Sequence, residues 1–148
     1  MNKVKEKRII GRREIIDFPE LGLFGIEAKI DTGAYTTALH CHDIYVDNGV
    51  LHFKFLDPSH PEYNEHDQKF TMYSQKEIKN SFGEVELRYI IKTIVKIGRK
   101  RIKAVISLTD RGNMRYPVLL GRRILKNRFI VDVALLNNIP LFIKKKPR

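Results

Sequence analysis

Asp31-Thr32-Gly33-Ala34 closes a short alternating run, Ile26-Glu27-Ala28-Lys29-Ile30, so a carboxylate stands at the end of an expected strand just before the chain turns. At average residue frequencies, an exact Asp-Thr-Gly arises by chance in only about 3% of chains this long, which makes the tripeptide worth pursuing. A carboxylate so placed suits general acid–base work. Hydrolysis of a peptide bond by carboxylates needs two of them within hydrogen-bonding distance, one ionised and one protonated. The ionised member draws a proton from water while the protonated member polarises the scissile carbonyl. Neighbouring like charges resist double ionisation, so such a pair keeps one proton and titrates as a unit.

The chain carries a single Asp-Thr-Gly, and its other Asp-X-Gly triplets, Asp47-Asn48-Gly49 and Asp110-Arg111-Gly112, read as turns. A dyad built on Asp31 therefore calls for a second copy of the chain across a two-fold axis. The neighbouring residues suit that geometry. Thr32 offers a hydroxyl able to hydrogen-bond across the axis, Gly33 allows close backbone approach, and Ala34 leaves room for substrate.

The elements that must position this tetrapeptide are strands. Runs rich in Ile, Val, Tyr, Phe and Thr are expected over Arg8 to Ile16, Gly25 to Asp31, Thr37 to Val46, Val50 to Leu56, Gln68 to Tyr73, Val85 to Ile97, Arg101 to Leu108, Phe129 to Val133 and Pro140 to Lys144. Asp47-Asn48-Gly49 reads as a tight hairpin turn in which Asn-Gly supplies positive φ angles. Asn80-Ser81-Phe82-Gly83 lies between two alternating arms as the tip of a longer hairpin, and Ile97-Gly98-Arg99 begins another reversal. The segment from Asp57 to Asp67 has two prolines and no periodicity, which predicts a surface loop. One short helix is expected, Gly121 to Lys126, directly after the apolar run Val118-Leu119-Leu120. There are no repeats or heptads.

At 148 residues the chain suits one domain over 1–148, with 1–7 and 145–148 as flexible ends, long enough to bury about 70% of the surface its unfolded form exposes. No apolar run approaches the roughly 18 residues of a membrane span, and Met1 to Arg8 leads into no signal-peptide core. A soluble, cytoplasmic protein with no membrane partner is expected. The single cysteine, Cys41, can form no internal disulfide, which fits a reducing compartment. The net charge of +11 is unevenly spread: residues 15–87 carry 5 basic and 13 acidic side chains, whereas residues 88–148 carry 17 basic and 2 acidic. The second half attracts polyanions, and composition alone does not choose among nucleic acid, acidic peptide and anionic membrane.

Three stretches carry a resemblance to a known family: Gly11-Arg12-Arg13-Glu14 with Pro19-Glu20-Leu21-Gly22; Ala28 through the Asp-Thr-Gly to His40; and Leu108-Thr109-Asp110-Arg111 with Met114 through Arg123. The chain resembles the retropepsin-like family often labelled "ATP-dependent zinc protease", which includes the RimB type associated with a RimK-like glutamate ligase. The resemblance implies a mostly β, retropepsin-like (acid protease) β-barrel with one short helix after Leu119-Leu120-Gly121. It also implies a homodimeric aspartic endopeptidase with Asp31, Thr32 and Gly33 at the catalytic centre. Asp31 would lie on a loop braced by the strand ending at Leu120, and a flap with Ser81, Phe82 and Gly83 at its tip would cover substrate beside Ala34. Tyr35 stands where viral retropepsins have a second acidic residue paired to the arginine matching Arg122, which would release Arg122 for other work. The RimB likeness implies acidic substrates, in particular glutamate tails on a ribosomal protein. Arg88, Arg111, Arg115, Arg122 and Arg123 are then candidate partners for their carboxylates, since guanidinium binds carboxylate in a bidentate fork.

Two other readings compete. On a strand, His40 and His42 of His40-Cys41-His42-Asp43 share a face and offer two zinc ligands, but no His-Glu-X-X-His accompanies them. ATP has no Gly-X-X-X-X-Gly-Lys-Ser/Thr loop to sit in, so neither cofactor in the family label is expected from the motifs. The remaining rival is a non-catalytic basic β-barrel binding RNA or ribosomes, with Tyr89 and Tyr116 among the arginines for stacking. Charge, however, gives no account of Asp31-Thr32-Gly33.

Overall fold

A computed structural model describes residues 6–56, 60, 63, 65–79, 82–110 and 116–140. The expected sites Ser81, Arg111 and Arg115 lie outside these residues, as do most of the 57–67 loop, both chain ends and all but Pro140 of the last expected strand.

The strands are β1 (Arg8–Ile10), β2 (Arg13–Phe18), β3 (Leu23–Ile30), β4 (Thr37–Asp47), β5 (Val50–Phe55), β6 (Gln68–Phe70), β7 (Ser74–Lys79), β8 (Val85–Ile97), β9 (Lys100–Thr109), β10 (Val118–Leu120) and β11 (Phe129–Val131). A 3-10 turn, Pro19–Leu21, follows β2, and the one-turn helix α1, Arg122–Leu125, follows β10. The chain is mostly β, and its strands close a six-stranded barrel in the order β10-β3-β2-β8-β9-β4, with β4 returning to β10. β5 and β6 extend the sheet from β4, and β7 pairs with the outer half of β8.

Alternation explains why these segments fold as strands. In β2 and β5 every second side chain is buried, and in β9 the even positions Ile102, Ala104, Ile106 and Leu108 enter the core. They meet Phe18, Ile26, Leu39, Phe53, Phe55, Ile91 and Leu120 in one apolar cluster. The reversals come where expected. Asp47 pairs with Val50 across Asn48 and Gly49, both at positive φ (51° and 75°), and Ile97 pairs with Lys100 across Gly98 at φ 60°. The long hairpin is present too, with Lys79 opposite Val85.

Two expectations need correction. The run from Arg8 to Ile16 is two strands, not one: β1 leaves the barrel and pairs in parallel with β11. The break at Gly11 and Arg12 has a tertiary cause. The Glu14 carboxylate accepts the Gly11 N–H at 2.7 Å, and a Cβ at Gly11 would lie 2.5 Å from the Leu135 carbonyl oxygen. The strand from Gln68 ends at Phe70, and the polar stretch Ser74–Lys79 beyond it forms its own strand. Among the described residues, no helix is long and apolar enough to cross a membrane.

Candidate active site

β10 is only three residues long, yet it closes the barrel. It runs parallel to β3, with Leu120 opposite Ile30, and antiparallel to β4, with Val118 opposite Leu39. The loop joining β3 to β4, residues 31–36, is thereby pinned against the residues that follow β10. The Asp31 N–H donates to the Leu120 carbonyl at 2.9 Å, while the Arg122 and Arg123 N–H groups donate to the carbonyls of Ala34 (2.8 Å) and Tyr35 (3.1 Å). The Gly121 N–H donates to the Thr37 hydroxyl oxygen at 3.0 Å. Gly121 has ordinary extended backbone, but a Cβ there would meet the carbonyl oxygens of Tyr35 and Ala34 at 2.8 and 2.9 Å. Only glycine lets the two segments approach this closely.

Within this frame Asp31 is half-buried, and Thr32 and Gly33 are exposed. One carboxylate oxygen of Asp31 accepts the Gly33 N–H at 3.0 Å, and the Asp31 carbonyl accepts the Ala34 N–H at 3.2 Å. A Cβ on Gly33 would come within 3.3 Å of that same carboxylate oxygen, so glycine leaves the acid its room. The Thr32 hydroxyl makes no hydrogen bond to any described residue, whereas the Thr32 carbonyl accepts one from the Arg122 guanidinium at 3.0 Å. The turn thus offers a carboxylate, a hydroxyl and a backbone edge on a rigid base.

The expectation that Tyr35 releases Arg122 does not hold. The Arg122 guanidinium lies over the exposed Tyr35 ring, 5.9 Å from its centroid, while it holds the Thr32 carbonyl. An aromatic face takes the place of a carboxylate, and Arg122 remains a brace. Arg88 is buried and bound to Glu86 at 3.1 Å, rather than presented to solvent. Arg123 is exposed on the far side of α1 and lines a cleft against the β8–β9 hairpin. Phe82 (88% exposed) and Gly83 (φ 80°) sit at the tip of the β7–β8 hairpin, where Val85 and Leu87 add further exposed apolar surface along one arm.

The histidine pair does not assemble a metal centre among the described residues. His40 is buried, and His42 sits after a regular stretch of β4 with its Nδ1 against the Leu56 carbonyl and its Nε2 facing the Tyr63 hydroxyl at 3.5 Å. Among the described residues no group of three or more His, Cys, Asp or Glu side chains is arranged to hold a metal ion. Cys41 between them is fully buried; burial pushes its thiol well above the ordinary value, and the Asp110 carboxylate adds to the shift.

A functional-looking signal that sequence reasoning left unexplained is Glu14, part of the first resembling stretch. It is fully buried and accepts the N–H groups of Gly11, Asn138 and Ile139 at 2.7, 3.0 and 3.0 Å, tying the start of the barrel to the segment after β11. Two of its three partners lie 124 and 125 residues away, and no local pattern reveals them.

Comparison with known proteins agrees with this geometry. Residues 9–139 match a family model described as RimB-like, retropepsin-like aspartic endopeptidase RimB. A probable alpha-L-glutamate ligase of Shewanella halifaxensis is 33% identical over 132 residues, which are 85% of this chain and 28% of that protein. A probable alpha-L-glutamate ligase of Desulfotalea psychrophila is 34% identical over 137 residues, 87% of this chain and 29% of that protein. The chain spans less than a third of the length of these relatives. The crystal structure of Lpg0085, a Legionella pneumophila protein of unknown function, superposes with a TM-score of 0.67 at 27% identity, covering 91% of this chain and all of that one. With the Asp-Thr-Gly loop locked at the seam of a closed barrel and the family match running nearly end to end, the chain belongs to the RimB-like family of retropepsin-like aspartic endopeptidases.

Proposed function

We propose that this protein is a homodimeric aspartic endopeptidase in which Asp31 of each copy supplies half of a water-activating dyad, acting on acidic, glutamate-rich peptide segments. The observation that carries the reading is the Asp31 turn itself. It is braced from behind by β10 and α1, and its acid, hydroxyl and glycine are left open on the outer side. A single chain leaves that outer side bare, and a two-fold axis past Thr32 would bring a second turn against it.

In the dimer, the ionised carboxylate takes a proton from the bound water as the water oxygen attacks the scissile carbonyl carbon. The protonated carboxylate of the other copy hydrogen-bonds to the carbonyl oxygen and transfers its proton as the tetrahedral intermediate forms. Collapse of the intermediate breaks the C–N bond. The departing amine nitrogen takes a proton from one carboxylate while a hydroxyl of the intermediate gives its proton to the other, so the peptide acid and amine are released and the dyad is again singly protonated. Phe82 and Gly83 at the hairpin tip act as the flap that covers the peptide. Ala34 lines the floor.

The acidic preference rests on charge and on relatives. Residues 88–148 carry 17 basic and 2 acidic groups, and the matched relatives are named as probable glutamate ligases. A domain that shares a polypeptide with a glutamate-joining enzyme is well placed to handle glutamate-rich chains; a glutamate-tailed ribosomal protein is one such substrate. The test is cleavage of glutamate-tailed and neutral peptides by wild type and Asp31→Asn. Wild type should cleave the acidic peptide faster, and Asp31→Asn should lose about 10²–10⁴-fold in rate with its unfolding midpoint unchanged. Cleavage that survives Asp31→Asn, or salt-dependent RNA binding with no cleavage of any peptide, would overturn the reading.

A further inference from the structure

The barrel sheet has two faces, and at one end both are buried. Ile91, Val95 and Ile97 of β8 and Ile102, Ala104, Ile106 and Leu108 of β9 point into the apolar core. The positions between them point outward, where most are exposed or half-buried; Ile90, Ser107 and Thr109 share that outer face and yet stay buried. A continuous row of register partners crosses it: Lys29 of β3 lies opposite Leu119, Leu119 opposite Ala38, Ala38 opposite Ser107, and Ser107 opposite Ile90. The row begins two residues before Asp31 and ends at the base of the β7–β8 hairpin, where Ile90 meets Ser74. It is a wall running from the acid to the hairpin.

Arg88 stands on this outer face, two residues from Ile90 toward the hairpin tip. Its side chain is only 9% exposed, and its Nη2–H donates to the Glu86 carboxylate at 3.1 Å. Its Nε is buried and has no hydrogen-bond partner among the described residues. Nε and Nη2 together form one edge of the guanidinium, the edge that receives both oxygens of a carboxylate side-on. Glu86 fills half of that edge and leaves the other donor dry, an expensive state for a buried cation. Thr109, two residues beyond Ser107 on the same face, is 2% exposed and its hydroxyl is likewise without a partner. Glu86 is the accessible member of the pair, its side chain 39% exposed, so solvent reaches the guanidinium edge through the space that its carboxylate fills. Lys76 opposite Arg88 and Ile78 opposite Glu86 add a second cation and an apolar wall from β7.

We infer that Arg88 determines specificity in a carboxylate subsite for which Glu86 is the placeholder: an acidic side chain of the substrate displaces Glu86 and takes the Nε–Nη2 edge with both oxygens. The inference rests on the acidic-peptide reading of the function and deepens it, since the free protein then competes with its own substrate. It does not depend on the dyad being active.

The test measures the affinity of the Asp31→Asn protein for a fluorescein-labelled hexaglutamate peptide by anisotropy, so that binding is separated from cleavage. Glu86→Gln should tighten binding about 3- to 10-fold, whereas Glu77→Gln, the same loss of charge on the other face of the hairpin, should leave it unchanged. Arg88→Lys, which keeps the charge without the paired edge, should weaken binding about tenfold. Unchanged or weaker binding in Glu86→Gln overturns the placeholder, as does equal tightening in Glu77→Gln, which would reduce the effect to overall charge. Full affinity in Arg88→Lys overturns the subsite; if that variant does not fold, the two glutamine variants decide alone. The same responses with a uridine hexaribonucleotide overturn the assignment to a side-chain carboxylate. If wild type cleaves hexaglutamate ahead of hexaglutamine and the variants bind it as before, the acidic-peptide reading stands and the subsite falls. If wild type cleaves no peptide while the binding responses appear, the peptidase reading fails and the subsite stands.

Discussion

Glu14 and Asp31 sit on the same barrel and are treated in opposite ways. Glu14 has no solvent exposure and receives three backbone N–H groups, whereas Asp31 receives one and keeps an open side. Glu14→Ala strands two buried donors and the part-buried Asn138 N–H and should cost about 3–5 kcal/mol, visible as a large drop in the urea midpoint. Glu14→Gln keeps the shape and should cost less. Cys41 gives a pH signature. Its thiol stays protonated in the native state at a pH where the unfolded thiol ionises, so unfolding releases a proton and stability falls as pH rises beyond the ordinary thiol range. Relative to Cys41→Ala, wild type should lose about 1.4 kcal/mol per pH unit there, measured by urea unfolding from pH 8 to 10. The sequence showed Asp31 because its signal is three adjacent residues. It hid the role of Glu14, whose donors lie at both ends of the chain.

Among the elements, the shortest strand matters most to the site. β10 supplies the carbonyl that fixes the Asp31 backbone, and Gly121 after it passes within contact distance of the Ala34 and Tyr35 carbonyls. Gly121→Ala should therefore cost about 1–3 kcal/mol and reduce kcat more than it raises KM, because the added methyl pushes the Asp31 turn out of place without removing a substrate contact. Denaturant unfolding and steady-state kinetics on one preparation check both parts. Strands with clean alternation, such as β5 and β9, were legible in the sequence, as were the turns at Asn48-Gly49 and Gly98 where positive φ is required. The division between β1 and β2 was not, because a side chain folding back from Glu14 and a backbone approach from Leu135 make it. Nor was the Tyr35–Arg122 contact, since nothing in the residue types says that an aromatic face can replace a carboxylate beneath a guanidinium.

At the scale of the molecule, the proposed dyad takes one carboxylate from each chain, which makes the proposed activity a property of the pair. Mixing wild type with excess Asp31→Asn, with time for exchange of subunits, should depress activity below simple dilution, because each mixed pair holds one carboxylate where two are required; sedimentation shows whether pairs form. A rate that tracks wild-type concentration alone would mean a complete site in each chain. The basic second half was plain from composition, but the cleft between the 3-10 turn, α1 and the β8–β9 hairpin was not. Its residues come from positions 20, 92–94, 103–105 and 123, and only the fold brings them together.

The threading of β10 between β3 and β4 also sets an order of events. Val118 pairs with Ala28, and Leu120 with Ile30, so the seam joins residues 90 apart in the chain. Contacts of such long sequence separation form late and slow folding, because the intervening chain must first be brought round. During synthesis, the Asp31 turn emerges before β10 and has nothing to brace it until the residues through Leu125 have followed. A growing chain consequently carries its acid unshaped until β10 and α1 have been made, and the turn takes its form only with closure of the barrel.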